Sequence, residues 1–260
     1  PWFGSNRSLG HEVGTILTGS EWVGIPFAGG LSEVPHITAR TIVVNDLHKA
    51  LITLARVAAD ERLGPQLFRR LKRHALHPEE LKHAQGACRA MESIVDGDGE
   101  LSDDVALMFA EQYFVASWMA RSGAAGTSGE LDASLSLRWN ATGGDSAKRY
   151  QGAVRSLNAW RKTLRRATFS TLDVFEFLDK CKDKPKHAIY CDQPFPGPGE
   201  KYKHRFTDAQ TVELSKRLLG FRNAKVVCRF YDHPLIRDCY PESVWQWNHY
   251  TGRKQTNQAA

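Results

Sequence analysis

Ile189-Tyr190-Cys191-Asp192-Gln193-Pro194-Phe195 is the stretch whose reading decides the architecture. With His187 and Ala188 before it, the apolar run to Cys191 reads as a short buried strand. It delivers a carboxylate, a proline-restrained turn and an aromatic ring to the strand's carboxyl end, the edge at which open α/β sheets hold their ligands. Outward from it, Ala167 to Leu172 and Lys225 to Tyr231 read as further short strands, with helices predicted at Val174 to Lys182 and Asp208 to Leu219. Thr207-Asp208-Ala209-Gln210 forms a T-x-x-Q capping box before the second helix, where side chains satisfy amides that the first turn leaves unpaired. Near the amino terminus, Trp22 to Phe27 and Arg40 to Val44 have the same strand character. A helix is predicted from Asn45, with Leu47, Ala50, Leu51, Leu54 and Ala58 on one face. Strands alternating with helices predict an α/β fold with a mainly parallel central sheet.

From about residue 60 to residue 155 that rhythm is lost. After Pro78, Leu81, Ala84, Cys88, Met91 and Val95 recur at helical spacing, predicting a helix that Gly97 and Gly99 end. A second helix is predicted over Asp103 to Arg121. Gly123, Gly126, Gly129, Gly143 and Gly144, among Ser, Thr and Asn, predict loops or a hairpin. The expected organisation is a discontinuous domain, 1–59 with 156–260, carrying a largely helical insert, 60–155.

The chain has 260 residues, 42% hydrophobic and 25% charged, with mean hydropathy −0.43. These values exclude a disordered chain, a collagen-like fibre and a coiled-coil rod. No apolar run approaches the roughly 18 to 20 residues of a membrane span, so no membrane partner is expected. A chain that opens on Pro1 rather than Met leads one to expect residues upstream. Thirty-five basic against 29 acidic residues give a net charge of +6 and a pI near 9.1, a balance that suits a nucleic-acid partner. Cys88, Cys181, Cys191, Cys228 and Cys239 are scattered and contain no C-x-x-C, which disfavours a disulfide framework or a thiolate zinc site and fits a reducing cytoplasm.

Pro26-Phe27-Ala28-Gly29-Gly30-Leu31-Ser32 follows the first strand, and its glycines would let backbone approach a ligand closely. The next strand ends at Asn45-Asp46, where a carboxylate could accept the hydroxyls of a ribose, as in nucleotide-binding α/β folds. Together they suggest an adenosine-containing cofactor. A plain turn followed by a helix capped by Asp46 would use the same residues.

Taken with Asp192-Gln193-Pro194-Phe195, these segments resemble the Dam-like DNA adenine-N6 methyltransferases, whose motif at this place is Asp-Pro-Pro-Tyr or Phe and whose Phe-x-Gly-x-Gly turn lies nearer the amino terminus. Pro1-Trp2-Phe3-Gly4-Ser5-Asn6-Arg7-Ser8 is similar to the family's opening Pro-aromatic-x-Gly-Gly-Lys segment, Asp173 to its acidic position for the cofactor adenine, and Gly252-Arg253-Lys254 to a late segment. The resemblance spans the chain. It implies a Rossmann-like methyltransferase with an inserted target-recognition domain, bacterial, cytoplasmic and nucleoid-associated. S-adenosylmethionine is the implied cofactor, held by Trp2, Phe3, Gly4, Ser5, Asn6, Arg7, Pro26, Phe27, Ala28, Gly29, Gly30, Asp46, Leu47, Asp173 and Val174. Double-stranded DNA is the implied partner, and a restriction endonuclease partner is left open. Gln193 departs from the family's first Pro, Leu31 from a third glycine, and Ser5-Asn6-Arg7 from Gly-Lys. The family also continues into a final apolar strand past the point where this chain ends.

The implied catalytic group is Asp192, Gln193, Pro194 and Phe195. An exocyclic amine is a poor nucleophile, so acceptors must hold its hydrogens and stabilise the charge growing on nitrogen. Asp192 and the carbonyl of Gln193 would accept, and Phe195 would stack on a base flipped out of the duplex. No metal is needed. Between Ser146 and Arg166, Lys148, Arg149, Arg155, Arg161, Lys162, Arg165 and Arg166 occur without an acid, and Arg69, Arg70, Lys72 and Arg73 form a second basic run. Each run also reads as a solvated helix face. Trp139, Asn140, Lys148, Arg149 and Tyr150 are candidates for DNA contact, and Lys201, Lys203, His204 and Arg205 for closing over the base. His74, His77 and His83 lack a metal-ligand spacing, Ser32 lacks a G-x-S-x-G elbow, and His233 reads as structural. A catalytically impaired DNA-binding relative, or the same chemistry on cytosine N4 or RNA, fits the sequence as well.

Overall fold

The computed structural model describes residues 9–121, 124–135, 137 and 145–250. Among them, five parallel strands form one sheet: β1 (Trp22–Ile25), β2 (Thr41–Asn45), β3 (Ala167–Ser170), β4 (His187–Cys191) and β5 (Lys225–Cys228), in the spatial order β3-β2-β1-β4-β5. The expected α/β class is therefore present, with every strand pair parallel.

Period-two alternation sends the strand side chains into two separate cores. Val23 and Ile25, Ile42 and Val44, and Ala188 and Tyr190 face one side. There they meet α1 (Gly10–Ile16), α2 (Lys49–Ala59), α3 (Leu63–Leu71), α4 (Pro78–Val95), α5 (Asp103–Met119) and α6 (Ser146–Leu164). Ile189, Cys191, Val226 and Cys228 face the other side, against α7 (Val174–Lys180), α8 (Asp208–Leu219) and α9 (Pro234–Cys239). Gly24 sits where a side chain would drive into the rings of Trp22 and Phe177, so the sheet needs glycine to seat α7.

The predicted stripe of α4 is realised: Leu81, Ala84, Cys88, Met91 and Val95 are all buried. The capping box of α8 is formed in both directions, Thr207 Oγ1 accepting the Gln210 amide and Gln210 Oε1 accepting the Thr207 amide. Segment 60–155 shares one continuous apolar cluster with the sheet, and the expected boundary at 155/156 falls within α6.

Two local expectations are corrected. Three strands end earlier than read, at Ile25, Ser170 and Cys228; beyond the first two the chain leaves the ladder to line a cleft. The helix read from Asn45 begins at Lys49, and Leu47 is 42% exposed on the cleft rather than on the helix's buried face. The side chains of Asn45 and Asp46 hold the neighbouring strand ends, which keeps these residues out of the helix.

Candidate functional site

Sequence-consecutive β1, β2 and β3 are laid down in one direction, and β4 and β5 in the other. The reversal falls between β1 and β4, where diverging connections open a crevice at the carboxyl edge. A cleft enclosing about 860 Å³, its solvent mouth included, lies there.

Its floor is the turn after β1. The Leu31 amide donates to Ala28 O at 2.9 Å, with Gly29 at φ +45° and Leu31 at φ +57°. Leu31, where the resembling family carries glycine, thus adopts the left-handed backbone that glycine tolerates best. Asn45, 1% exposed, ties three strand ends together. Its Nδ2 donates to Pro26 O at 3.1 Å and Leu172 O at 2.9 Å, while its Oδ1 accepts from Ser170 Oγ at 2.7 Å and the Leu172 amide at 2.8 Å. Nothing in the sequence marks Asn45 for this, since its partners lie far along the chain. Asp46 accepts the Gly29 amide on Oδ2 at 2.8 Å and the His48 amide on Oδ1 at 2.9 Å. It therefore braces the turn and the approach to α2, and it keeps lone pairs that face the cleft. Asp173 caps α7 through the Phe175 amide at 2.8 Å and, with Val174, forms another wall. Pro26, Phe27, Ala28, Gly29, Gly30 and Leu47 complete the expected cofactor group within the described residues, all on the cleft wall. Trp2, Phe3, Gly4, Ser5, Asn6 and Arg7 lie outside the described residues, as do Trp139, Asn140, Arg253 and Lys254.

Asp192 and Pro194 line the same cleft from the β4 side. Burial pushes the Asp192 carboxyl above its ordinary range, against the opposing pull of Arg229. Arg229 Nη1 lies 3.2 Å from Asp192 Oδ1 and 3.1 Å from Oδ2. Sequence reading missed this partner, because Arg229 looks like one more residue of a strand. Glu33, 4% exposed, also lines the cleft; burial and then the Asp192 charge raise its carboxyl to about 7, and Ser32 Oγ donates to it at 2.9 Å.

One catalytic expectation is corrected. The Phe195 ring is only 6% exposed and is not part of the cleft wall. It packs edge-on against Tyr231, centroids 4.6 Å apart, beneath Arg229. The Gln193 side chain turns inward, Nε2 donating to Thr211 Oγ1 at 3.2 Å, with Oε1 buried and receiving no hydrogen bond from a protein donor.

The nucleic-acid candidates divide similarly. Tyr150 is fully buried with its hydroxyl on Leu71 O at 3.1 Å, so its side chain belongs to the core rather than to a DNA surface. Arg149 donates to Trp118 O at 3.1 Å and Ala120 O at 2.7 Å, securing α5 to α6. Arg165 pairs with Glu61, Arg166 donates to Ile37 O, and Arg70 pairs with Glu111, so part of each basic run stabilises the fold. Lys148, Arg155 and Lys162 recur every seventh residue on one exposed stripe of α6. His204 and Arg205 line the cleft mouth, Lys203 bonds Glu92 at 2.6 Å, and Lys201 is exposed outside the wall. His48 meets Glu130 at 2.8 Å, and Tyr113 and the Gly126 amide also donate to Glu130, a buried network behind the cleft that sequence reading did not identify.

His74 holds Glu80 and Glu111 on its two ring nitrogens, while His77 and His233 accept amides at the starts of α4 and α9. Among the described residues, no helix is long and apolar enough to cross a membrane.

Glu33, Asp46, Asp173 and Asp192 make the cleft acid-rich. The Asp46 and Asp173 carboxylates suit a ligand that carries positive charge and hydroxyl donors. S-adenosylmethionine, with its sulfonium, ammonium and ribose hydroxyls, would meet acceptor oxygens there. No protein-family model matches the chain, and no curated protein matches it significantly.

Proposed function

We propose that the chain transfers a methyl group from S-adenosylmethionine to the exocyclic amine of a flipped base, adenine N6 in double-stranded DNA. One observation carries this reading: the glycine turn after β1 and the Asp192–Pro194 segment after β4 share one acid-rich cleft at the switch point of the sheet. The cofactor, when bound, supplies a methyl already activated on sulfonium. The protein's part is to hold the amine in line with it. Asp192 accepts one amine hydrogen, and the backbone carbonyl of Gln193 accepts the other. Asp46 receives the ribose hydroxyls and Asp173 lies at the adenine end. Segment 60–155 acts as the target-recognition part, with the Lys148, Arg155 and Lys162 stripe following phosphates. On this reading the enzyme acts in the bacterial cytoplasm, on nucleoid DNA.

Incubation with labelled S-adenosylmethionine and duplex DNA tests the proposal, followed by nucleoside analysis of the product. Label in N6-methyladenine supports it. Label in N4-methylcytosine, or transfer to RNA alone, reassigns the substrate, and no transfer despite calorimetric cofactor binding rejects the catalytic claim. The second reading, a binding relative with impaired chemistry, is favoured by the buried position of Phe195 and the pairing of Asp192 with Arg229.

A further inference from the structure

The Asp-x-Pro-aromatic segment places an acceptor and a π-face side by side, yet neither stands open. Arg229, the first residue past β5, serves both. Its guanidinium carbon lies 5.2 Å from the Phe195 ring centroid and 5.6 Å from that of Tyr231, while Nη1 reaches both oxygens of Asp192. A flat group with N–H donors, set against an aromatic ring and a carboxylate, reproduces what an amino-bearing base would do there.

We propose that Arg229 is a place-holder for the target base and thereby a specificity determinant: it fills the base slot, and only a base that donates N–H to Asp192 displaces it. The inference rests on the methyl-transfer reading given above. Its physical reason is the cost of a buried carboxylate left without a partner. A base with an exocyclic amine restores a donor to Asp192 as Arg229 leaves, whereas a base without one strands the charge. Arg229 has a way out, since its side chain is 19% exposed and Tyr231, at the rim, is 39% exposed. The exchange also removes a cation from the place where positive charge would grow on the amine. Asp192 then retains Tyr190 from its own strand, Glu33 from beyond the glycine turn, and Tyr202 as its titratable neighbours.

The test compares wild type, Arg229→Met and Arg229→Gln for binding two single-stranded oligonucleotides without cofactor. One carries a single adenine and the other carries purine, which lacks the 6-amino group, at the same place. Wild type is expected to prefer adenine. Removing the cation should tighten binding of both oligonucleotides by about tenfold, the scale of one lost cation–π or ionic competitor, while adenine keeps its advantage through its bond to Asp192. In transfer assays KM should fall, while the acidic limb of kcat/KM, which reports the free enzyme, moves to higher pH because Asp192 has lost its cation. Cooperative melting and unchanged cofactor affinity establish that a variant is folded; should Arg229→Met fail this check, Arg229→Gln, which keeps N–H donors, carries the measurement. Weaker or unchanged oligonucleotide binding makes Arg229 a structural partner and overturns the inference. Since binding is read without cofactor, that outcome is separate from a wild-type failure to transfer methyl groups, which would reject the parent reading.

Discussion

Asp46 Oδ2 accepts the Gly29 amide at 2.8 Å, joining the end of β2 to the turn after β1 across seventeen residues of chain. The carboxylate shapes the cleft before any ligand enters it. Asp46→Ala should therefore lower stability by about 1 to 3 kcal/mol, the cost of stranding partly buried amides, and weaken cofactor binding together with it. Urea unfolding and calorimetry on the same samples check this. Loss of cofactor affinity at full stability would make Asp46 a ligand contact alone.

Asn45→Asp is nearly isosteric and should be far more damaging than its size suggests. It replaces a donor by an acceptor facing the carbonyls of Pro26 and Leu172. The expected loss is roughly 3 kcal/mol or more, measured by chemical denaturation. A change below about 1 kcal/mol would mean that the strand ends are held by other means.

Glu33 gives a signed pH dependence. Its folded carboxyl is raised from 4.5 to about 7 by burial and the neighbouring Asp192. The protonated form is thus the stable one, and its contribution is complete below pH 4.5 and lost as pH rises through 7. The shift corresponds to about 3 kcal/mol. Glu33→Gln should flatten this part of the stability profile and be the more stable protein at pH 8. Parallel profiles for the two proteins would remove Glu33 as the titrating group.

Asp192→Asn keeps the shape of the acceptor and loses its charge. Methyl transfer should fall by about 100-fold or more, by analogy with removal of one preorganised transition-state contact. Cofactor affinity should stay within about threefold, because the amide preserves the packing of the wall. An unchanged turnover number would take Asp192 out of the chemistry.

The α6 stripe and its buried neighbour separate binding from folding. Changing Lys148, Arg155 and Lys162 together to Ala should weaken DNA binding and flatten its salt dependence, since fewer counterions are released. Tyr150→Phe should leave DNA affinity alone and cost about 1 kcal/mol of stability through its lost bond to Leu71 O. Salt titrations of affinity and thermal melts distinguish the two.

Local signals were legible where one segment contained them whole. The spacing of Leu81, Ala84, Cys88, Met91 and Val95 was enough to place α4, and four consecutive residues were enough to cap α8. The strand ends read too long because Phe27, Leu172, Phe230 and Tyr231 keep an apolar look beyond Ile25, Ser170 and Cys228, where the ladders end. Tyr150 points into the core, since a basic neighbourhood in sequence says nothing of the direction in which a helical side chain points.

The sequence alone determined where the strands lie to within a few residues, and that the glycine turn follows the first and Asp192 the fourth; that the two meet in one cleft follows from the strand order of the folded sheet. Periodicity and short-range motifs suffice for placing the strands, because they act within a few residues. Only the tertiary structure decided that Arg229 holds Asp192, that Phe195 lies beneath it, that Glu33 shares its field and that Asn45 binds three strand ends. Those contacts join residues from 19 to 159 positions apart. Their energy depends on burial and distance, which exist only once the chain has closed on itself.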